Sequence, residues 1–346
     1  MTFPDPGFST ASMAAIFSAE RRVAGLLAFE VSLVRAGADL GLVSSEVAEE
    51  VAGVCQQFDG DPEAIVASAW DRGTPLIDLL HEIESKLSAS AGQALHRGAT
   101  SQDAIDTALM LQIRDATTLL VSESDEVSEM LAVLARSHQH TPYTARTLLQ
   151  EALPSTFGTR AVAWLSPVKR AGDELKIARA SLPLQLGGPI GDLALSTGGQ
   201  ELVERVADYL DLAVPNGPWH TDRSYVRRPC IAAVEMALAM EKIAFDLALL
   251  SSFGEVSMRP GESSTMKHKR NPIDAIRVVA AARACVAAAS ALSAVGGHEL
   301  ERGAGGWQVE WWAVPLVFQG AAAAVDGAKV CLAHLEVHAP KGIEKA

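Results

Sequence analysis

The feature that most constrains the fold is a run of 43 residues, 99–141, that contains neither glycine nor proline. Apolar residues recur along it every three or four positions, as in a helix with one buried face. They are Ile105, Leu109, Ile113, Ala116, Leu120, Val127, Leu131 and Leu134. If mostly helical, the run extends roughly 55–60 Å, far more than the usual globular helix. Such a helix needs packing partners along its whole length.

Three further segments predict long helices that can serve as those partners. Residues 230–253 and 273–295 each follow a proline and stop at glycine, and the second of them is almost entirely apolar and is expected to be buried. A third helix is expected over residues 155–182, bent near Pro167. Strand-like alternation is nearly absent. The sequence therefore predicts an all-α fold built around a long-helix bundle.

Turn signals divide the chain into two predicted parts. Residues 1–97 are expected to form a small N-terminal helical domain, because the turns near residues 41, 60 and 74 separate several shorter helices. Residues 98–346 are expected to form the central long-helix domain, which would also be the core of an oligomer.

Composition and charge narrow the classes of function. The formal net charge of −13 argues against a nucleic-acid partner, because phosphate binding needs a basic face, but it does not exclude a small anionic substrate. The chain has no apolar run of about eighteen residues and no secretory signal, so we expect no membrane span and a cytoplasmic location. Dispersed cysteines and the lack of an HExxH spacing predict reduced thiols and no metal site.

Residues 261–272, GESSTMKHKRNP, join two serines to a cluster of cations just before an apolar helical run. Such a segment can close over an anionic substrate and give it a proton, although ordinary surface loops share this composition. It resembles the mobile signature loop of the fumarase/aspartase superfamily, which it matches at Ser263, Ser264, Met266, Lys269, Asn271 and Pro272. Glu262 and Lys267 depart from that pattern, which has glycine and proline there.

A second stretch, residues 96–103 (HRGATSQD), stands where the long helix is predicted to begin. Thr100 or Ser101 could cap that helix, whose free N–H groups and positive dipole end attract a carboxylate. A capping turn with no further function is the alternative. The stretch resembles the superfamily's first signature, which implies that Thr100 and Ser101 bind a substrate carboxylate, with His96 beside them.

A third stretch, residues 141–158, resembles the superfamily's second region and matches it at Arg146, Thr147 and Gln150. Arginine and glutamine are suitable anchors for a carboxylate, so the resemblance implies that these residues bind substrate. Leu148 occupies the place of the histidine that the lyases use as acid or base, and Ile276 the place of the glutamate that pairs with it. The joint replacement indicates a branch that works without this dyad.

Residues 298–311, HELERGAGGWQVEW, indicate which branch this is. Acids and tryptophans around a glycine turn would by themselves suggest packing or subunit contact. The segment closely resembles one in the bacterial 3-carboxy-cis,cis-muconate cycloisomerases of the superfamily, and residues 184–188 and 218–221 are similar to the same enzymes. That resemblance implies lactonisation of a small tricarboxylate in the protocatechuate branch of the β-ketoadipate pathway, without a cofactor. It also implies a homotetramer with composite active sites and a third, C-terminal helical domain that is short or missing.

The resemblance assigns roles to the signature loop. Ser263 is expected to transfer the proton, with Lys269 and the loop N–H groups holding it partly as an alkoxide. Lys269, Ser264 and Asn271 are expected to bind substrate carboxylates. Three alternatives stay open: a C–N or C–O lyase of the same superfamily, a cycloisomerase of 3-sulfomuconate, and a non-catalytic homologue that kept the fold.

Overall fold

The structure, a computed structural model, describes residues 6–195, 197–262, 265–266 and 269–338. Helices follow one another from the start of the described chain to Ala94. Their lengths are short except for the second, because serine, aspartate, proline and glycine punctuate the sequence. They are α1 (Ala11–Ile16), α2 (Ala19–Asp39), α3 (Ser45–Gln56), α4 (Pro62–Ala67), α5 (Ala69–Arg72), α6 (Leu76–Glu84) and α7 (Ala89–Ala94).

The long helix expected from the sequence is α8 (Ser101–Ser137), which at 37 residues is about 55 Å long. Its partners are α9 (Phe157–Ala180), α11 (Ser224–Ser252), α12 (Ile273–Ala294) and α13 (Gly306–Ala333). The short α10 (Gly199–Leu210) packs on α2. The predicted all-α, long-helix architecture is therefore confirmed, and it places the start of α8 beside the N-terminal helices.

Two helices differ from the expectation because proline and glycine lie inside them. Helix α11 begins at Ser224, ahead of Pro229, which the helix contains near its start. Helix α13 was not predicted, and it contains Pro315, Gly320 and Gly327. The glycines are needed for packing, since a Cβ at Gly320 would lie 3.0 Å from Cys285 Cβ and one at Gly327 only 2.6 Å from Val278 Cγ2. Both contacts are with α12, so these glycines let α12 and α13 approach closely.

A β-hairpin was also not predicted. Strands β1 (Pro142–Thr147) and β2 (Gln150–Thr156) pair antiparallel immediately after α8. The two residues of the turn, Leu148 and Leu149, have φ values of 50° and 65°, which leucine rarely adopts. Strands β3 (Val256–Ser257) and β4 (Glu336–Val337) form a second short antiparallel pair at the far end of α11.

The buried apolar side chains form two clusters. The larger, here called the bundle core, joins α8, α9, α11, α12 and α13. The smaller, here called the N-terminal core, joins α2, α3, α4, α6 and α7 with the first turns of α8, residues 184–186, α10 and Trp307. Because the N-terminal core extends into α8 and beyond, residues from both predicted domains share it. The division at residues 97 and 98 stays a prediction.

Helices α12 and α13 are each long and apolar enough to cross a membrane, judged by length and composition alone. Core helices of soluble proteins have the same property, and both helices pack on each other and on α11. Helix α12 was expected to be buried all round. In the single chain only one of its faces is buried, and Ile276 on the opposite face is 51% exposed.

Candidate active site

The first turn of α8 is fixed by a buried carboxylate. Thr100 is the N-cap, and Asp103 Oδ2 accepts a hydrogen bond from Thr100 N at 3.0 Å. The same carboxylate accepts from Gly187 N at 3.0 Å and Gly188 N at 2.9 Å, and it lies 2.7 Å from His220 Nε2. Asp103 therefore ties the loop that contains Gly187 and Gly188 to the start of α8, where Thr100 and Ser101 were predicted to bind a carboxylate.

His96 lies four residues before the N-cap, and its ring is held by a hydrogen bond with a buried carboxylate. Its Nδ1 is 2.7 Å from Oε1 of Glu30, a carboxylate of α2 with no exposed side-chain surface. The His96 side chain keeps 16% of its surface exposed. Burial lowers the pKa of His96, but the hydrogen bond and charge of Glu30, together with Asp103, raise it above its ordinary value overall. A raised pKa favours a cationic His96 near an anion site.

Arg302 brings the tryptophan-containing segment to the same helix end. Its NH1 donates to Thr100 Oγ1 at 2.8 Å and its NH2 donates to Pro189 O at 2.9 Å. The sequence analysis did not single out Arg302, although it lies in the HELER motif that indicated the branch. A guanidinium beside a helix N-terminus adds a second positive group to the place where a carboxylate would bind.

The loop that carries Arg302 closes around His298. A Cβ at Gly303 would lie 2.6 Å from His298 Nδ1, and one at Gly306 would lie 2.9 Å from His298 Nε2. Burial lowers the pKa of His298, and the charge of Arg223 lowers it further. The two glycines therefore make space for a neutral imidazole, and the close packing fixes the path of residues 298–306.

A buried ionic network lies beneath this end of the bundle. Arg223, just before α11, donates to both oxygens of Asp106 on α8 at 2.7 and 2.9 Å and to Glu310 on α13 at 2.9 Å. Trp307 Nε1 also donates to Asp106, at 2.9 Å. All three charged side chains are at most 2% exposed. The network fixes α8, α11 and α13 relative to one another and so positions Thr100.

The signature loop is closed at its base. Gly261 and Asn271 exchange backbone hydrogen bonds, 2.9 Å from Gly261 N to Asn271 O and 3.2 Å in the reverse direction. Arg259 holds the base to α12 through two hydrogen bonds to Asp274, at 3.0 and 2.6 Å. Lys269 N donates to Met266 O at 3.0 Å. Ser263, Ser264 and Lys267 lie outside the described residues.

A cavity of about 520 Å³ lies beside this loop base, between the C-terminal end of α11, the start of α12 and the short β3–β4 pair. Its lining is rich in groups that can bind anions. The lining residues are Ser251, Ser257, Met258, Arg259, Pro260, Arg270, Asn271, Pro272, His334 and Glu336. Among the described residues, no group of three or more His, Cys, Asp or Glu side chains is arranged to hold a metal ion.

The third set of predicted residues lies on the hairpin. Arg146 on β1 bonds both oxygens of Glu255, at 3.1 and 2.5 Å, and Glu151 at 3.2 Å. The hydrogen bonds that Arg146 donates to Glu255 raise the pKa of its guanidinium. Thr147 and Gln150 face each other across the turn and are exposed. Arg146 would have to exchange a carboxylate partner in order to bind a substrate carboxylate.

The hairpin and the N-cap of α8 are at opposite ends of a long helix. Helix α8 spans about 55 Å, and Arg146 follows its last residue by nine positions. Nine extended residues reach about 30 Å, so Arg146 stays at least about 25 Å from Thr100 even if the chain folds straight back. The two sets of predicted site residues therefore cannot share a pocket within one chain.

The chain is similar to known proteins over nearly its whole length. A family profile described as Lyase matches residues 8–285. A curated 3-carboxy-cis,cis-muconate cycloisomerase from Bradyrhizobium diazoefficiens is 35% identical over an alignment 334 positions long, which covers 92% of this chain and 74% of that protein. A nitrosuccinate lyase from Streptomyces davaonensis is 34% identical over 84% of this chain and 65% of its own length.

Solved structures agree with this assignment. The crystal structure of 3-carboxy-cis,cis-muconate lactonizing enzyme from Pseudomonas putida superposes with a TM-score of 0.90 at 34% identity. The match covers 96% of this chain and 77% of that one. With the sequence match and the long-helix architecture, the conclusion is that the chain belongs to the lyase family of the fumarase/aspartase superfamily.

Proposed function

We propose that the chain is a cycloisomerase that converts 3-carboxy-cis,cis-muconate to 4-carboxymuconolactone, in the protocatechuate branch of the β-ketoadipate pathway. A carboxylate oxygen forms a C–O bond to a conjugated double bond, and the carbon next to another carboxylate takes a proton. The product is an isomer of the protonated substrate. The observation that supports this most is the contact of Arg302 with Thr100, because it joins the cycloisomerase-like segment to the carboxylate-binding signature.

The α8 end supplies binding for one carboxylate. The first N–H groups of the helix and its positive dipole end lie beside Thr100, Ser101 and Arg302, and His96 precedes the N-cap by four residues. These groups are set by Asp103, Glu30 and the buried network before any substrate arrives. Fixed donors stabilise negative charge that develops on the enolate-like intermediate without having to reorganise.

The signature loop supplies the proton in this proposal. Ser263 delivers it to carbon, and Lys269 lowers the pKa of that hydroxyl while it also binds a carboxylate with Ser264 and Asn271. The backbone hydrogen bonds between Gly261 and Asn271 fix the base of the loop. Leu148 and Ile276, which replace the acid–base pair of the lyases, leave this serine as the proton donor.

The assay follows the ultraviolet absorbance of the diene in 3-carboxy-cis,cis-muconate. The wild-type protein is expected to remove that absorbance and to form the lactone. Ser263→Ala is expected to lower kcat about 10²–10⁴-fold, the usual contribution of a positioned proton donor. Thr265→Ala is the matched control on the same loop. Turnover by Ser263→Ala at the wild-type rate would refute the assigned role, and wild-type inactivity would refute the substrate.

We further propose a cytoplasmic homotetramer with composite active sites. The separation of Thr100 and Arg146 supports it, because one pocket can hold both only if they come from different chains. Helix α11 also exposes Ile231, Leu238 and Phe245 at seven-residue spacing, with 57%, 37% and 48% of their surfaces accessible. An apolar stripe of this kind on a core helix fits the surface of a second copy.

Mixing two variants tests the composite site. Ser101→Ala and Arg146→Gln are each expected to be nearly inactive alone. Reassembled together from dissociated subunits, they are expected to regain activity, because some pockets then receive both wild-type residues. Wild-type protein that is dissociated and reassembled in the same way provides the reference. No recovery from a mixture that light scattering shows to be tetrameric would count against shared sites.

A C–N or C–O lyase is the second candidate, and the similarity to a nitrosuccinate lyase favours it. Leu148 and Ile276 argue against it, since those lyases use a histidine and a glutamate there. Release of fumarate from argininosuccinate, adenylosuccinate or aspartate would support the lyase. Activity with the 3-sulfo analogue would extend the substrate range, and inactivity with every conjugated di- or triacid would favour a non-catalytic homologue.

A further inference from the structure

The most unusual buried charge outside the network of Arg223 is Glu30. It lies in α2 among the apolar residues of the N-terminal core, and its side chain has no exposed surface. Oε1 is 2.7 Å from His96 Nδ1, whereas Oε2 is buried and has no hydrogen-bond partner among the described residues. A buried carboxylate with a single partner is costly unless that partner carries the compensating proton.

The proton of this pair can sit in two places. Either His96 is an imidazolium beside a Glu30 carboxylate, or Glu30 is a carboxylic acid that donates to a neutral imidazole. Nδ1 faces Glu30 in both arrangements, and the ring's other hydrogen is then on Nε2 in both. The protonated pair therefore always presents Nε2–H as a donor, whichever arrangement dominates.

Loss of that proton reverses the character of His96. The carboxylate then accepts from Nδ1–H, Nε2 becomes an acceptor, and the pair carries a net charge of −1. A group of this kind repels a substrate carboxylate. The pair thus binds an anion only while it keeps its proton.

The surroundings fix the ring in place. His96 has φ of 54°, a left-handed conformation uncommon outside glycine, and its ring packs on Phe29 at a centroid distance of 6.4 Å. The charged groups that act on it are Glu30 from α2 and Asp103 from α8. Both are acids, and both favour retention of the proton at neutral pH.

We propose that Glu30 is a positioning residue that keeps His96 in the form whose Nε2 carries hydrogen, so that His96 donates to a substrate carboxylate at the N-terminus of α8. The inference rests on the proposed function in one respect, that His96 binds substrate. Glu30 itself touches no substrate and acts through the imidazole.

Glu30→Gln is the central test, because the amide keeps the size and one hydrogen bond but removes the charge. The pKa of His96 is expected to fall, because burial still lowers it while Asp103 alone remains to raise it. In kinetics, the basic limb of the kcat/KM profile moves to lower pH by the same amount, and KM rises more than kcat falls. Glu49→Gln is the matched control, because it removes an exposed carboxylate of α3 that is paired with Arg35 of α2.

A double-mutant cycle separates positioning from a merely structural role. His96→Asn is a suitable partner variant, because asparagine tolerates the left-handed backbone. If Glu30 acts through His96, Glu30→Gln adds no further loss of kcat/KM in the His96→Asn background. Equal, additive losses in the two backgrounds, or an unmoved basic limb in Glu30→Gln, would overturn the proposal.

A measurement without turnover separates this inference from the assigned reaction. Histidine ¹⁵N signals are titrated in the wild type and in Glu30→Gln, with and without propane-1,2,3-tricarboxylate, which has no diene to cyclise. The wild-type His96 Nε2 is expected to keep its proton to a higher pH than in Glu30→Gln, and its signal is expected to shift when the tricarboxylate is added. A His96 signal that ignores the ligand overturns the binding role, whereas a responding signal in a protein that does not turn over the muconate sinks only the proposed reaction.

Discussion

Replacement of Arg223 by methionine tests whether the buried network positions the end of the bundle that holds the candidate site. Arg223 is 1% exposed and is the cation shared by Asp106 and Glu310. Methionine fills a similar volume but leaves the two buried carboxylates without their shared cation. Loss of one partner from a buried ion pair costs about 3–5 kcal/mol. Asp106 retains Gln102 and Trp307 as hydrogen-bond donors, so most of the destabilisation is expected to come from the unpaired carboxylate of Glu310.

The loss is expected to depend on pH. In the wild type, burial already raises the pKa of Glu310 even though Arg223 lowers it. Without Arg223, the folded-state pKa rises further above its unfolded value. A carboxyl group of this kind stabilises the fold at low pH and loses that contribution as pH rises through the folded pKa. The slope is about 1.4 kcal/mol per pH unit while the folded state holds one extra proton.

Urea unfolding at pH 6 and pH 8 measures this, at one fixed protein concentration because assembly contributes to stability. Arg223→Met is expected to lose about 3–5 kcal/mol at pH 8 and clearly less at pH 6. Arg72→Met is the control, since its pair with Asp78 has side chains 57% and 31% exposed and is expected to contribute at most about 1 kcal/mol. A loss below about 1 kcal/mol, or the same loss at both pH values, would refute the reasoning.

Three other predictions concern packing, thiols and the hairpin. Gly158→Ala is expected to destabilise by about 1–3 kcal/mol in urea unfolding, because the new Cβ would lie 2.6 Å from Ala135 O, whereas Gly53→Ala, with nothing within 4 Å, should be neutral or stabilising. Burial raises the pKa of all four thiols, which are those of Cys55, Cys230, Cys285 and Cys331. A thiol reagent at pH 8 should therefore label them only after unfolding. Rapid labelling of the folded protein would contradict this. Replacing Leu148-Leu149 by Asn-Gly suits the left-handed turn, so the hairpin should persist. Loss of activity or assembly in this variant would show that the two leucines contact another subunit. Unchanged activity and assembly would exclude that contact.

Helix α8 and the position of its first turn could be predicted from the sequence because the relevant signals are local. The spacing of apolar residues and the absence of glycine and proline define α8, and residues 98–103 mark its start. The same local rules failed for α13. Gly320 and Gly327 weaken a helix by themselves, and only their close contact with α12 explains why they are there.

The contacts that complete the candidate site depend on residues far apart in the chain. Thr100 and Ser101 were placed correctly at a helix start by sequence alone, but Arg302 lies 202 positions away and Glu30 lies 66 positions before His96. No local pattern states which distant side chain meets Thr100 or His96. For His96, the burial of Glu30 in the N-terminal core decides the pairing, because a charge removed from water must find a partner of opposite sign where the packed helices bring one.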